Sequence, residues 1–541
     1  MTHDAHGPNG SATHSMFVLP AGFRDTTPSS DHDDQVHEPP DRDLPKLVIR
    51  KDDLPATARE LAAILADDPN LYYRGDRVVH VHQDERGDLV ITAATKEDVI
   101  NVTHQYVRPA LERKTKKGVE TIYITLPTQV AALYLALRAD CGLRPLAAIT
   151  SSPVFHPDGT ILTGDGYDPV TRTLRHQVPD VYVPDYPTDA DARRAFAALR
   201  HAIATFPFAD AICCQDGSVD QASPPGMDES AALAALVTAC LRSSLPLCPA
   251  CAVRAAAFSG SGVGKGLLTR TIAAIAFGRP PRTITPGHNA DELDKRIVAA
   301  VLGGYQAILF DNCNGHTLRS DTLASMITEA PTTIRPLGSS ETITVDSRSW
   351  IVVTGNALEI SEDLARRFLV TNLDARIENP ETRRFPFDPV ERALAQRPAL
   401  LGAVGTIWRW GRQRAGTLPT GAPLGSFGEW CRQVRDPLLA LGIMDPVERI
   451  AEIKEADPRR VAVAELFAAW AEHHGTSLVR AADLAEPVRD ILDPRGHGRQ
   501  FLARRLRELV GTRYAGRVLV ASRTGGRWSV TKYRLEQAQE A

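Results

Sequence analysis

The sequence predicts a mixed α/β protein, with an α/β core around a parallel sheet, an α+β domain before it, and a helical domain after it that ends in a hairpin. The main observation is that helical patterns alternate with short apolar strands from about residue 228 to residue 375. Such alternation is typical of parallel sheets that bind ligands at the carboxyl ends of their strands. The composition, 43% hydrophobic and 24% charged residues, is that of an ordinary globular protein.

Charge asymmetry and changes of periodicity set the expected boundaries. Residues 1–45 carry eight Asp and Glu against two Lys and Arg, which predicts a disordered acidic tail. Residues 495–534 carry eleven Lys and Arg and one acid, Glu508, although the formal net charge of the chain is -4. We expect the tail at 1–45, an N-terminal α+β domain at 46–225, the core at 228–385, a helical lid or linker at 386–445 and a C-terminal domain at 446–541.

Local patterns predict the elements in order. Before the core we expect a helix at 54–65, paired strands at 78–82 and 88–92, a helix at 130–137, tight turns between short strands at 150–170, and a helix at 189–206. In the core we expect helices at 228–242, 267–275, 291–302 and 320–329, and strands at 253–258, 305–311 and 349–354. Residues 386–440 should be mostly helical, and residues 446–541 should hold further helices and a hairpin of strands 517–522 and 527–534.

Targeting and metal signals are weak. No apolar run approaches the roughly 18 residues of a membrane-spanning helix, and polar residues follow Met1, so we expect a cytoplasmic protein with no membrane partner. Cys248 and Cys251 have the spacing of zinc ligands, but no second pair follows at a useful distance. A structural zinc site needs four ligands, so we expect these cysteines to be packing residues.

The residues Ser259-Gly260-Ser261-Gly262-Val263-Gly264-Lys265-Gly266, which we call the glycine loop, stand between an apolar strand pattern and a helical pattern. That context is typical of a P-loop, whose backbone N–H groups cradle phosphate while its lysine neutralises the terminal phosphates. Two positions depart from G-x-x-x-x-G-K-[ST]: Ser259 replaces the first glycine and Gly266 replaces the hydroxyl that binds Mg²⁺. The expected phosphate-binding residues are Gly260, Ser261, Gly262, Val263, Gly264, Lys265 and Gly266.

Three features downstream of the glycine loop extend this interpretation. An apolar strand ends in Asp311, where a Walker B carboxylate would hold Mg²⁺, and Asn312 replaces the usual second acid. A second strand ends in Asn356, whose amide would position water near the γ-phosphate. Arg366 and Arg367 stand on a predicted helix, where one of them would act as an arginine finger on a neighbouring subunit.

Each feature also has a structural alternative. Asp311-Asn312 and Asn356 could simply form turns after strands, and Arg366-Arg367 could belong to a salt-bridged helical face. The general base stays open, with Glu292 and Glu329 as nearby acidic candidates. The order favours the functional interpretation, since Asp311 follows Lys265 by 46 residues, Asn356 follows after 45 more, and Arg366 after a further ten.

Five short motifs lie in the segment 255–385: Asp311-Asn312, Arg335-Pro336-Leu337-Gly338, Thr354-Gly355-Asn356, Asp363-Leu364-Ala365-Arg366-Arg367 and Arg376-Ile377-Glu378-Asn379-Pro380. With these motifs the segment resembles the helicase core of superfamily 3 and AAA+ replication proteins from phages, plasmids and integrated elements, including the poxvirus-type primase-helicases. Region 150–170 also resembles the segment that precedes the core in phage-borne members.

The resemblance implies an AAA+-like P-loop core in an oligomeric ring, often a hexamer, that hydrolyses ATP to move along DNA. It implies Lys265 on phosphate, Asp311 on Mg²⁺, Asn356 as the sensor, and Arg366 or Arg367 as the finger that acts in trans. We therefore expect an ATP-dependent DNA helicase or helicase-like replication protein of a phage or mobile element. Its cofactors would be ATP and Mg²⁺, and its partners single-stranded or forked DNA, further copies of itself and other replication proteins.

The basic C-terminal end predicts a DNA contact. Residues 501–509 form a helical pattern with apolar residues on one side and arginines on the other, and the hairpin after it would be the wing of a winged helix. A solvated basic face is the alternative. The candidate DNA-binding residues are Arg504, Arg505, Arg507, Arg517, Arg523 and Arg527.

The sequence leaves two rival functions open beside the helicase. Gly266 and Asn312 favour a nucleotide-gated DNA-binding initiator, loader or regulator that binds ATP but hydrolyses little of it. A degenerate ATPase that serves as an assembly or defence scaffold is the third hypothesis. Strand displacement distinguishes the helicase from the gated DNA-binding protein. Absence of nucleotide binding in a titration would indicate the scaffold.

Overall fold

Apolar side chains gather in three main cores along the chain. The computed structural model describes residues 44–215, 217–256, 261–285, 290–314, 317–336, 341–383, 386–455, 457–523 and 530–538. Residues 46–541 form one unit, in which one core is built on residues 47–143, a large central core on residues 155–453, and a third on residues 466–535. The predicted acidic tail lies outside the described residues except at its last two positions.

The first core packs three helices against two small sheets. Its elements are β1 (Lys46–Val48), α1 (Leu54–Leu65), β2 (Leu71–Arg74), β3 (Arg77–Gln83), β4 (Leu89–Ala93), α2 (Lys96–Tyr106), β5 (Arg108–Thr115), β6 (Gly118–Tyr123) and α3 (Thr128–Ala136). One sheet has the order β1-β5-β6 and the other β2-β3-β4. The predicted helix at 54–65 is confirmed, and so is the antiparallel pairing of the predicted strands at 78–82 and 88–92.

Short strands and one long helix connect this region to the centre. They are β7 (Ala148–Thr150), β8 (Val154–Phe155), β9 (Ile161–Leu162), β10 (Gly166–Asp168), β11 (Thr173–Arg175) and α4 (Asp189–Ile203). Thr188 and Asp191 form a capping box that starts α4, because each side chain accepts a backbone N–H of the other residue. The apolar face of α4, including Phe196 and Leu199, packs in the central core.

A five-stranded parallel sheet organises the centre of the molecule. The elements of this region are α5 (Met227–Leu241), β12 (Ala250–Ala255), α6 (Lys265–Phe277), β13 (Arg282–Ile284), α7 (Ala290–Leu302), β14 (Ala307–Phe310), β15 (Thr317–Leu318), α8 (Asp321–Thr328), β16 (Thr332–Ile334), β17 (Ile343–Val345), β18 (Trp350–Asn356), β19 (Glu359–Ile360), α9 (Glu362–Ala365) and β20 (Phe368–Leu373). The sheet has the order β13-β14-β18-β12-β20, and every neighbouring pair is parallel. The predicted parallel sheet is therefore confirmed.

The strand order decides which loops meet. β18 follows β14 in the chain but lies between β14 and β12. The register pairs Phe310 with Val353 and Ala255 with Asn356. Consequently the segments that follow β12, β14 and β18 all leave the sheet at its carboxyl edge, side by side.

Helices follow the sheet, as predicted. They are α10 (Pro389–Ala395), α11 (Arg397–Gln413), α12 (Gly428–Trp430), α13 (Asp436–Ala440) and α14 (Arg449–Glu455), with a π-helical turn, Cys431–Arg435, between α12 and α13. α14 is joined to α5 by a buried ion pair between Arg449 and Asp228. Arg449 also donates to the carbonyl of Val370 in β20 at 2.9 Å.

The third core is formed by three helices and an antiparallel sheet. Its elements are α15 (Pro458–His473), β21 (Val479–Arg480), α16 (Glu486–Leu492), α17 (Arg499–Leu509), β22 (Arg513–Tyr514), β23 (Arg517–Arg523) and β24 (Thr531–Gln537). The sheet has the order β21-β24-β23-β22, so the predicted C-terminal hairpin is confirmed as the pair β23–β24. Its predicted turn at residues 524–526 lies outside the described residues.

Candidate functional site

The described part of the glycine loop adopts a backbone that requires glycine. Gly262 and Gly264 have φ angles of +74° and +109°, and Gly264 directly precedes α6, whose first residue is Lys265. The first N–H groups of a helix have no partner within it, so the start of α6 presents donors that suit a phosphate. Gly260 and Ser259 lie outside the described residues, whereas Ser261, Gly262, Val263, Gly264, Lys265 and Gly266 lie within them.

Gly262 also permits a close approach from another part of the chain. A Cβ atom built on Gly262 would lie 2.8 Å from the Cα atom of Glu381, which belongs to the short turn Pro380–Thr382. Arg383 holds the end of that turn by donating to the carbonyl of Thr205 at 3.0 Å. The segment after β20 therefore borders the glycine loop, a neighbourhood that the sequence did not predict.

Lys265 points across the carboxyl edge of the sheet. Its Nζ atom donates to Oδ1 of Asn356, the last residue of β18, at 2.5 Å. Partial burial lowers the pKa of Lys265 from its usual 10.5, while the charge of nearby Asp311 opposes that shift. Two of the predicted site residues are thus in direct contact, and the third is within electrostatic reach.

Asp311 follows β14 and is held by its neighbours. The hydroxyl of Thr354 in β18 and the backbone N–H of Asn312 both donate to Oδ1 of Asp311, the second at 3.1 Å. Among the described residues, none donates a hydrogen bond to Oδ2 of this carboxylate. The register of β14 and β18 explains the contact with Thr354, since Phe310 pairs with Val353 one position earlier.

Asn312 and Asn314 are explained by backbone requirements. Asn312 has a φ of +63°, a left-handed conformation that Asn tolerates better than most residues, and its side chain is exposed. Oδ1 of Asn314 accepts the backbone N–H of Asn356 at 2.6 Å and so fixes the end of β18. The role of Asn314 was missed from the sequence, where only its proximity to Asp311 hinted at it.

The position of Gly266 has room for a side chain. It is the second residue of α6, and a Cβ atom there would come within 3.1 Å of only the guanidinium end of Arg270 among non-adjacent groups. That group is flexible and can move. Packing would therefore allow a side chain with a hydroxyl at this position.

The prediction that one helix carries both arginines, Arg366 and Arg367, is wrong. α9 ends at Ala365, Arg366 is its C-cap, and Arg367 already leads into β20, where its carbonyl accepts the N–H of Ala250 at 2.9 Å. Arg366 is exposed, whereas Arg367 is only 9% exposed and donates to the carboxylate of Asp363 at 2.7 Å. The two side chains thus have different environments, and Arg366 is the one accessible to another molecule.

Both arginines lie at the amino edge of the sheet. Ala250, which contacts Arg367, is the first residue of β12, and the glycine loop follows the last one. Six residues of strand separate the two edges by about 20 Å. The structure therefore does not bring Arg366 or Arg367 to Lys265 of the same chain.

A single carboxylate caps two helices near these arginines. Asp457, which is 2% exposed, accepts the N–H of Arg459 at the start of α15 at 2.7 Å and the N–H of Glu362 at the start of α9 at 2.5 Å. Arg460 of α15 adds an ion pair with Glu362 at 2.9 Å. The C-terminal region is thereby joined to the short helix that precedes Arg366.

The predicted DNA-binding residues lie on the third core. Leu502 and Leu506 of α17 are buried, whereas the arginines on the opposite side of that helix are exposed. Glu508 pairs with Arg505 at 3.0 Å and lies 3.8 Å from Arg504. Five of the six predicted residues are described, and all five are exposed: Arg504, Arg505, Arg507, Arg517 and Arg523. Arg527 lies outside the described residues.

The surroundings of the cysteines and the lengths of the helices bear on metal binding and on membrane spanning. Cys248 and Cys251 are buried, and burial raises the pKa of both thiols. In the described ranges there is no group of three or more His, Cys, Asp and Glu side chains placed to hold a metal. Within the same ranges, every helix is too short or too polar to cross a membrane.

Comparisons with known proteins give only distant similarities. No protein-family model and no curated protein matches the chain. Two structures of JCV helicase, one of them with a bound acetamide compound, are similar with 12% and 11% identity and TM-scores of 0.20 and 0.21; each alignment covers 52% of this chain, and 72% and 64% of theirs. An active helicase, SCCmec type IV Cch, is similar with 10% identity and a TM-score of 0.33 over 86% of this chain and 93% of its own. Similarities this distant carry no argument about activity.

Proposed function

We propose that this chain binds ATP with Mg²⁺ at the carboxyl edge of its central sheet and hydrolyses it to act on DNA, as a helicase or helicase-like replication protein. The observation that carries the proposal is the convergence of Lys265, Asp311 and Asn356, which come from three separate segments. Lys265 contacts Asn356, and the charge of Asp311 acts on Lys265. Glycine-loop donors at the start of α6 complete the group.

The residues at this edge fit a magnesium nucleotide. Oδ1 of Asp311 is held by two donors, which leaves Oδ2 as a hard oxygen ligand of the kind that Mg²⁺ prefers. Lys265 would neutralise phosphate charge, and an anion beside it would counter the effect of burial on its pKa. The bound nucleotide would supply the phosphoanhydride bond, and Mg²⁺ would neutralise charge that develops on the phosphates.

Asn356 would orient the attacking water. Its backbone is fixed by Asn314 and its amide oxygen by Lys265, so the amide group is held in one orientation. Positioning of this kind accounts for much of the catalysis in phosphoryl transfer, because the reaction needs little covalent help from the protein. The chain would therefore act mainly through positioning and charge.

The second candidate function is nucleotide-gated DNA binding with little turnover. Asn312 occupies the place of the usual second acid, and its exposed side chain cannot act as a carboxylate base. Glu292 pairs with Lys295 at 3.0 Å, and Glu329 lines a cavity of about 270 Å³ with Arg366. Both acids therefore have other surroundings in the described part of the chain, and Asn312 is the feature that favours slow hydrolysis.

A ring of several copies would complete the site. Arg366 is exposed at the amino edge of the sheet, about one strand length from Lys265, so only a neighbouring copy could present it to the nucleotide. The oligomer, its size and its replication partners are parts of this proposal.

The function is tested by ATP hydrolysis with Mg²⁺ and single-stranded DNA. We expect DNA to stimulate hydrolysis and Lys265→Ala to reduce it by at least about 100-fold, the loss typical of removing a group that stabilises transition-state charge. Lys51→Ala, which removes an exposed lysine between β1 and α1, is the matched control and should leave the rate unchanged. Hydrolysis that survives Lys265→Ala would contradict the proposed site.

Strand displacement separates the two candidate functions. A helicase should unwind a forked DNA in the presence of ATP, and the Lys265→Ala variant should not. A gated binder would instead bind ATP and DNA without unwinding the fork. Absence of nucleotide binding in a direct titration would contradict both functions.

A further inference from the structure

The hairpin β5–β6 in the N-terminal region has a firmly anchored base. β5 pairs with β1 in parallel, and Ala110 of β5 is fully buried in register with Val48. Lys46 of β1 forms an ion pair with Glu112 at 2.5 Å, at the point where the hairpin leaves the core. The base thus holds the hairpin in a fixed direction.

The outer part of the hairpin is exposed on both faces. All residues from 112 to 120 are exposed, on both strands and in the turn. A two-stranded ribbon with no packed face is only marginally stable in water. Folding of the core therefore does not explain why the strands extend so far, which suggests that another molecule covers them.

The end of this ribbon is strongly positive. Residues 113–117, which we call the basic tip, read Arg-Lys-Thr-Lys-Lys and contain no acid. No carboxylate of the described residues forms an ion pair with a cation of the basic tip. Because the chain has a formal net charge of -4, a polyanion would be attracted to a local patch such as this one and not to the protein as a whole.

Turn formation does not account for the lysines. Lys116 and Lys117 occupy the two-residue turn, where Asn-Gly or Asp-Gly is the favourable choice. The turn is closed instead by Thr115, whose hydroxyl donates to the carbonyl of Gly118 at 3.0 Å and accepts the N–H of Lys117 at 3.3 Å. Neighbouring like charges repel, so the basic tip is present at some cost to local stability.

An aromatic side chain lies on the same face as part of the basic tip. Lys114 pairs with Val119 and Ala110 with Tyr123, so alternation along the strands puts Lys114 and Tyr123 on one face. Tyr123 is 50% exposed, and the guanidinium of Arg108 lies 3.8 Å from the centre of its ring. Cations beside an exposed aromatic ring suit a nucleic-acid strand, in which phosphates alternate with flat bases.

We propose that the β5–β6 hairpin binds single-stranded nucleic acid, with the basic tip on phosphates and Tyr123 stacked on a base. A lipid surface fits less well, since the basic tip has no apolar residue to insert and Val119 and Tyr123 lie behind it. The inference extends the DNA partner of the proposed function, but it rests on nothing in the nucleotide site. It adds a contact remote in sequence from the arginines of α17.

The test compares two variants of the full-length chain that lose the same charge. One carries Lys114→Ala, Lys116→Ala and Lys117→Ala; the control carries Arg59→Ala, Arg193→Ala and Arg194→Ala, at exposed positions on α1 and α4. Binding of fluorescent oligo(dT) is measured without ATP over a range of salt concentrations. The salt slope is the change in the logarithm of the binding constant with the logarithm of the salt concentration. Each lost phosphate contact should reduce the magnitude of this slope by about 0.7, so the hairpin variant should lose about 2 and the control nothing.

A second variant tests the stacking. Tyr123→Ala should weaken oligo(dT) binding by about tenfold without changing the salt slope, and Tyr123→Phe should restore it. Unchanged affinity and slope in the hairpin variant would overturn the proposal. So would a result in which that variant binds oligo(dT) normally but loses binding to vesicles of phosphatidylserine. Lys265→Ala should bind oligo(dT) like the unaltered chain, so failure of the nucleotide site and failure of the hairpin are distinguishable.

Discussion

At the scale of single residues, the departures from the P-loop pattern have different physical meanings. Asn312 meets a backbone requirement, because its φ of +63° is costly for most other side chains. Gly266 meets none, since its position in α6 has room for a small side chain. From the sequence alone, Asn312 and Gly266 were equal reasons to expect slow ATP hydrolysis. The backbone angle of Asn312 and the space around Gly266 show that the two substitutions have different causes.

Gly266 therefore allows a gain-of-function prediction. Gly266→Ser would add a hydroxyl where Mg²⁺ would be bound, and we expect it to lower the Mg²⁺ concentration for half-maximal ATP hydrolysis about two- to tenfold, the usual value of one added polar contact. Gly266→Ala is the matched control, because it adds the Cβ atom without the hydroxyl. Equal Mg²⁺ dependence in the two variants would show that the metal is not bound beside this position.

Lys265 makes nucleotide binding depend on pH. Burial lowers the pKa of this lysine below 10.5, and only its protonated form attracts phosphate. Affinity for an ATP analogue should thus be full at neutral pH and fall as the pH rises through the lowered pKa. Lys265→Arg should move that fall to higher pH, since a guanidinium keeps its proton. If the affinity of the unaltered protein and of Lys265→Arg does not change with pH up to the ordinary lysine pKa, the proposed contact between Lys265 and phosphate is contradicted.

At the scale of elements, local sequence patterns predicted those helices and hairpins whose formation depends on residues close together in the chain. The helix at 54–65 follows from apolar spacing and from an Asp53 cap, and the hairpin β3–β4 follows from alternation around a turn. The same method failed at Arg366-Arg367, because the chain there leaves α9 to pair with β12, a partner more than one hundred residues away. Pairing at that distance has no local signature.

The two arginines should respond differently to substitution. Arg367→Ala would remove a largely buried partner of Asp363 and should lower the unfolding free energy by about 1–3 kcal/mol, measurable as a shift in denaturant midpoint. Arg366→Ala removes an exposed side chain and should leave the midpoint unchanged while ATP hydrolysis falls. Mixing inactive Arg366→Ala with inactive Lys265→Ala should restore part of the activity, because mixed rings contain some intact sites. No recovery on mixing would contradict a finger that acts in trans.

At the scale of the whole molecule, assembly is the property that connects the separate parts. The order and spacing of Lys265, Asp311 and Asn356 predicted which residues lie at one edge of the sheet, because parallel strands bring their carboxyl ends together. Spacing could not predict that Asn314 fixes β18 or that the turn Pro380–Thr382 borders Gly262, since both depend on loops that fold over the sheet. The edge of the sheet was predictable, and the loops that complete it were not.

A ring should be visible as a change in particle size. We expect the protein to form larger assemblies when an ATP analogue and single-stranded DNA are both present, because nucleotide would bridge Lys265 of one copy and Arg366 of the next. Light scattering or analytical ultracentrifugation measures this directly, and Lys265→Ala should reduce it. A particle of constant size in every condition would favour the gated DNA-binding function.

The shared cap at Asp457 has a mechanical consequence. One carboxylate holds the first turns of α9 and α15, so α15 cannot swing away without leaving an N–H group of one helix unpaired, at a cost of about 1 kcal/mol. Arg366 stands four residues from the capped end of α9. A force on the C-terminal region would thus be transmitted to Arg366 through the Asp457 side chain, without passing through the sheet.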